Sequence, residues 1–190
     1  MKPLSPRNLY LALIHYPVKN KQGDTIAAAI TSIDLHDIAR AARTYGIAGF
    51  YVVTPLQDQQ ALAHKITAHW QDGVGSVYNP HRGKALDLIR IKTTLAGAVA
   101  EIAEITGRDT KLVATSAAKE EGRLAFPGFR QMLGQNEWTY ILALGTAWGF
   151  TGPFMEEVDY VLAPIDGGTG YNHLSVRSAA AIILDRLFGR

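Results

Sequence analysis

A chain of 190 residues that is 47% hydrophobic and 19% charged can bury a substantial core, so one compact domain over residues 1–190 is expected, with no partner needed merely to fold. Its 19 basic and 17 acidic residues leave a formal charge of only +2, too weak a field to announce nucleic-acid binding, so any basic surface must be local. The absence of cysteine excludes disulfides, thiolate nucleophiles, iron–sulfur clusters and Cys-containing zinc sites.

At the start of the chain, Met1 to Asn8 is polar with two prolines, and the apolar run Leu9–Ile14 is too short for a signal segment or a membrane span; a soluble, cytoplasmic protein is expected. Short apolar, β-branched runs then alternate with segments of helical periodicity, the pattern of an α/β protein with a mainly parallel sheet sandwiched by helices. The runs predict strands at Leu9–Ile14, Gly49–Val53, Ile91–Leu95, Lys111–Ala114, Tyr140–Leu144 and Tyr160–Ala163, whose uniformly apolar cores suit a sheet covered on both faces. Between the first two, Leu35, Ile38, Ala39, Ala42 and Tyr45 share one helical face, with Asp34 as N-cap, Asp37 in the first turn and Gly46 as the stop. Amphipathic helices follow at Leu56–Trp70 and Pro80–Arg90, and Ser175–Leu187 closes the chain as a helix with one strongly apolar side. Ala114 to Tyr140 carries Gly, Pro and charge over a stretch longer than ordinary strand connections, where open α/β sheets place ligand sites.

Three polar or glycine-bearing loops follow three of these strands: Thr115-Ser116-Ala117, Gly145-Thr146-Ala147-Trp148-Gly149, and Pro164 to His173. If the strands are parallel neighbours, the loops emerge at one edge, where glycines admit close backbone approach and Trp148, Tyr171 and Leu162 offer flat apolar walls for a purine. Gly145 and Gly149 alone also suit an ordinary strand-to-helix turn, whereas three glycines in four residues before Tyr171-Asn172-His173 are unusual enough to point to function. Phosphate motifs fail: the run from Gly168 has His173 where a dinucleotide fingerprint needs its third glycine, and no GxxxxGK[ST] exists. The six histidines are scattered without metal-binding spacing, so no metal is expected.

The block Tyr140-Ile-Leu-Ala-Leu-Gly145-Thr-Ala-Trp-Gly149, then Tyr160-Val-Leu-Ala-Pro-Ile165, then Tyr171-Asn-His-Leu-Ser175 through Leu184, is similar to the second and third cofactor motifs of SPOUT methyltransferases. The N-terminal half, notably Leu9–His15 and Thr31 to Tyr45, resembles a bacterial branch of that class related to tRNA guanine-N1 methyltransferases, and the resemblance covers nearly the whole chain. It implies an α/β fold with a C-terminal trefoil knot, against the usual rule that chains do not thread loops. It further implies S-adenosylmethionine (SAM) as cofactor, tRNA or rRNA as partner, guanine N1 or a ribose 2′-oxygen as acceptor, and a homodimer with the cleft near its interface. Carried over by position, the cofactor contacts are Thr115, Ser116, Ala117, Leu144, Gly145, Thr146, Trp148, Gly149, Leu162, Pro164, Ile165, Gly167, Tyr171, Asn172, His173, Leu174 and Ser175. Many relatives carry Asn where this chain has His173.

Methyl transfer needs an in-line nucleophile and, for a guanine nitrogen or ribose hydroxyl, a base. Candidate catalytic residues are Arg40 and Asp37 on the first helix with Asp166 and His173 in the last loop; an exposed Asp37–Arg40 pair is the plain structural alternative. Arg43, Arg82, Lys84 and Arg177 are candidates for RNA contacts, in a basic set that includes His81, Arg123 and Arg130. A non-catalytic nucleotide-binding module on the same fold, and a different α/β nucleotide enzyme, remain as alternatives.

Overall fold

The structure, a computed structural model, describes residues 8–189, so residues 1–7 of the polar N-terminus lie outside the described residues. In chain order the elements are β1 (Leu9–Ile14), a hairpin of β2 (Val18–Lys19) and β3 (Thr25–Ile26), α1 (Ser32–Thr44), β4 (Gly49–Val53), α2 (Gln57–Gln71), α3 (Val74–Tyr78), α4 (Pro80–Leu86), β5 (Ile89–Lys92), α5 (Leu95–Thr106), β6 (Thr110–Ala114), α6 (Phe126–Gln135), β7 (Thr139–Gly145), α7 (Gly152–Glu156), β8 (Tyr160–Val161) and α8 (Val176–Phe188). Six strands form one sheet in the order β5-β4-β1-β7-β6-β8, every pairing parallel.

Strand β1 is central, and its two-residue period explains the double layering. Leu9, Leu11 and Leu13 enter the core beneath α1, α6 and α8, while Tyr10, Ala12 and Ile14 enter the core beneath α5 and α7. From β1 the chain travels outward to β4 and β5, then returns to build β6, β7 and β8 on the other flank. The connections therefore diverge between β1 and β7, and open α/β sheets form ligand crevices at the carboxyl ends of strands flanking such a point.

Four expectations are corrected. The strand expected at Ile91–Leu95 runs over Ile89–Lys92, because the Thr94 hydroxyl accepts from the Gly97 N–H and starts α5 at Leu95. The helix expected at Pro80–Arg90 ends at Leu86, since the chain must enter β5. The long segment between Ala114 and Tyr140 is not all loop: it contains α6, whose Phe129 and Leu133 are buried. The N-cap of α1 is Thr31, not Asp34; Asp34 sits one turn in and donates its N–H to the Thr31 hydroxyl. Gly46 stands just past that helix at φ +69°, a left-handed conformation that favours glycine.

Candidate functional site

The loops after β6, β7 and β8 converge on one cleft of about 860 Å³ at the carboxyl edge of the sheet. Each is fastened by its own polar residues. Both the N–H and the hydroxyl of Thr115 donate to the Ala143 carbonyl at 3.0 Å, which ties the first loop to β7. The Thr146 hydroxyl donates to the Ile14 carbonyl at 2.9 Å and ties the second loop to β1. In the third loop the Asn172 amide donates to the Ala117 carbonyl at 3.0 Å, closing the last loop onto the first. Ser175 then caps α8 by accepting from the Ser178 N–H.

Of the positions expected to hold the cofactor, Thr115, Ser116, Ala117, Leu144, Gly145, Thr146, Trp148, Gly149, Leu162, Ile165, Asn172, His173, Leu174 and Ser175 line the cleft; Pro164, Gly167 and Tyr171 do not. The sequence reading missed a whole wall, contributed by Lys19, Ala28, Ala29, Thr31 and Asp34. The Thr31-x-x-Asp34 spacing was its signal, because a helix that starts after β1 starts at the carboxyl edge of the sheet. A second, more open recess of about 530 Å³ adjoins the cleft and shares Glu120 and Arg123, which pair with each other.

The expected catalytic and RNA-binding residues divide. Asp34, expected only as a helix cap and not among those candidates, reaches the cleft with its side chain 13% exposed; its carboxylate accepts from the Thr31 hydroxyl at 2.5 Å and faces Arg177 at 3.3 Å. Asp37 lies 3.7 Å from Arg177 and 4.0 Å from Arg40, and neither Asp37 nor Arg40 lines the cleft. Asp166 is engaged with Lys119 at 2.7 Å and accepts from the Gly168 N–H; Lys119 holds its carboxyl below the usual range. His173 lines the cleft and its ring meets Tyr171 edge-on. Arg82 lies over the Trp70 ring at 4.5 Å on α4, Lys84 is exposed on the same helix, and Arg43 is exposed on α1. Among the described residues no group of three or more His, Asp or Glu could hold a metal, and no helix is long and apolar enough to cross a membrane.

His15, at the end of β1, is 1% exposed and neither ring nitrogen has a hydrogen-bond partner. Burial pulls its pKa down to about 4, against the opposing pull of the Asp34 carboxylate. The unfolded chain takes up this proton near pH 6.5 and the folded chain only near pH 4. Between those values the unfolded state binds more protons, so stability falls as pH falls, by about 3 kcal/mol in total. Denaturant titrations from pH 7 to pH 4 are expected to show this slope in the wild type and to lose it in His15→Leu; equal slopes in both would remove the assignment.

A model of the family described as SAM-dependent RNA methyltransferase matches residues 8–189. The chain is 45% identical over 183 residues to a protein of Oleidesulfovibrio alaskensis named tRNA (guanine-N(1)-)-methyltransferase, with 96% of this chain and 42% of that protein covered. A namesake in Nitratidesulfovibrio vulgaris matches to the same extent, so the chain spans less than half the length of these two curated relatives. An uncharacterized protein of Aquifex aeolicus is 37% identical, with 96% of this chain and 89% of that one covered. Among solved structures, a putative methylase family protein from Neisseria gonorrhoeae superposes with a TM-score of 0.65 at 15% identity, covering 100% of this chain and 85% of the other. The SpoU methyltransferase AviRb from Streptomyces viridochromogenes, in complex with AdoMet, gives 0.54 at 19%, covering 95% and 56%. At such identities the likeness shows the fold.

Proposed function

Because this chain belongs to the SAM-dependent RNA methyltransferase family, which moves a methyl group from SAM to RNA, we propose that the cleft between the loops after β6, β7 and β8 is where that transfer takes place. The observation that carries the reading is their convergence into one recess of nucleoside size, the first two loops tied to strands β7 and β1 and the third to the first by side-chain hydrogen bonds. When bound, SAM supplies an electrophilic methyl group on a sulfonium. The loops around Ser116, Gly145 and Leu174 would hold it through backbone groups; at Gly145 the missing Cβ lets the Phe150 ring and Gly149 pack close beneath the lip of the cleft. Pre-positioning of this kind contributes to rate by removing the entropy cost of alignment.

The acceptor must lose a proton whether it is a guanine N1 or a ribose 2′-hydroxyl. Asp34 takes that proton, because its carboxylate lines the cleft and is oriented by Thr31 and Arg177. Asp37 and Arg40 act from behind, Asp37 by holding Arg177. His173, which lines the cleft, is assigned to the acceptor, and Arg43, Arg82 and Lys84 to RNA phosphates farther out. A tRNA substrate is supported by the names of the two relatives, which extend well beyond the matched region. The Asn172–Ala117 hydrogen bond joins the last loop to the loop after β6, and α8 packs beside α1 and α6; both support the trefoil knot expected of SPOUT enzymes. The active form is a homodimer built on residues 1–190, its cleft close to the interface.

Titration calorimetry with S-adenosylhomocysteine is expected to give one site per chain, and tritium from labelled SAM is expected to enter total RNA. No binding at all refutes the cofactor assignment; binding without transfer to any RNA pool leaves a nucleotide-binding module instead.

A further inference from the structure

The loop between β7 and α7 is more rigid than a connection requires. Ala147 adopts φ +51°, a left-handed conformation that an L-residue with a Cβ adopts only at a cost, and Gly149 follows at φ +89°. Four contacts hold the turn there: the Thr146 hydroxyl on Ile14, the Gly149 N–H on the Thr146 carbonyl, the Trp148 N–H on the Lys19 carbonyl, and the Lys19 N–H on the Gly149 carbonyl. The β2–β3 hairpin thus clamps the turn from outside. What the clamped turn presents is Trp148, 60% exposed at the rim of the cleft.

The other two tryptophans are occupied. Trp70 lies under the Arg82 guanidinium and against the rings of His36 and His69, and Trp138 lies under the Lys111 ammonium. Trp148 has no aromatic or cationic partner among the described residues. It also differs from Leu144, Leu162 and Ile183, which line the same cleft but are nearly inaccessible, so that its indole is the apolar side chain most open to an incoming ligand among these four. Lys19, held to Trp148 through the backbone, lines the same rim and makes no salt bridge among the described residues.

We propose that Trp148 and Lys19 form the subsite for an unpaired RNA nucleotide, the indole stacking on the base and the ammonium meeting its phosphate. The proposal rests on the methyl-transfer reading of the cleft and names the part of the substrate that enters it: a base out of its helical stack, as in a loop, bulge or flipped position. Stacking on an aromatic face tolerates any base, so this subsite supplies affinity and position, not sequence choice. The strained turn is then a device for holding the indole still before RNA arrives.

The test uses the full chain with a short unstructured RNA oligonucleotide, first without cofactor. Trp148→Ala is expected to weaken oligonucleotide binding by about tenfold or more, Trp148→Phe to restore much of it, and Lys19→Ala to flatten the salt dependence of binding. A Trp70→Phe/Trp138→Phe double variant, in which only Trp148 fluoresces, is expected to be quenched by the oligonucleotide. S-adenosylhomocysteine affinity in Trp148→Ala is the discriminating readout, because Trp148 also stands among the positions expected to touch the cofactor, and it is expected to fall far less than RNA affinity. The proposal is overturned if that affinity falls together with RNA affinity, which would make the indole part of the cofactor pocket. It is equally overturned if RNA affinity is unchanged, or if sedimentation shows that Trp148→Ala dissociates a dimer, which would make the rim a contact between copies. Wild-type protein that binds no S-adenosylhomocysteine refutes the cofactor reading instead, and the oligonucleotide arm is read independently of it.

Discussion

Gly145→Val is expected to weaken S-adenosylhomocysteine binding by about two orders of magnitude while the chain stays folded. Gly145 ends β7 opposite Ile14, at the lip of the cleft. A Cβ there meets the Phe150 ring at 3.3 Å and the Gly149 Cα at 3.4 Å, and valine adds two methyl groups to that crowding. The Phe150 ring is stacked on Phe154 at 4.2 Å, so it has little freedom to retreat. The easier relief is outward movement of residues 146–149, which displaces the loop proposed to hold the cofactor. Overpacking of this kind costs roughly 1–3 kcal/mol, too little to unfold a domain with a two-layered core. Calorimetry for affinity and a thermal melt for folding, run on the same preparation, check both halves. Wild-type affinity in the variant would show that the second loop does not touch the cofactor.

Asp34→Asn is expected to lower kcat for methyl transfer by about a hundredfold or more, the usual contribution of a positioned base, with S-adenosylhomocysteine affinity nearly unchanged. The change is isosteric. An amide oxygen can still accept from Thr31 or face Arg177, so α1 keeps its first turn, and only the capacity to take a proton disappears. A kcat equal to that of the wild type would leave Asp34 as a partner of Arg177 and nothing more. The same change in Asp37, which is 43% exposed and does not line the cleft, is expected to have the smaller effect.

Local patterns carried much of this architecture. Leu9–Ile14 and Gly49–Val53 are strands at the bounds expected from their apolar runs, because a strand buried on both faces needs an unbroken apolar stretch and nothing else competes for one. Four helices escaped notice, the five-residue α3 and α7 and the longer α5 and α6, and the longer two did so for identifiable reasons. Pro127 and Gly128 read as breakers, yet proline in the first turn of a helix loses no hydrogen bond, and α6 begins there. Helix α5 is built of small and branched apolar residues without a sharp polar face; only its ends, Thr94 and Gly107 at φ +64°, mark it as a helix.

What the sequence determined by itself was the chemistry available at the carboxyl edge: three loops with glycine, hydroxyl and amide groups, and a capped helix beginning beside them. What the tertiary structure alone decided was which of those groups meet. Asp34 and not Asp37 enters the cleft because packing of α1 against α4 and α8 sets the rotation of that helix, and Lys19 joins Trp148 because the hairpin folds back onto the turn after β7. Both are contacts between elements distant in the chain, Lys19 with Trp148 and α1 with α8 being more than a hundred positions apart, and no local periodicity carries information about them.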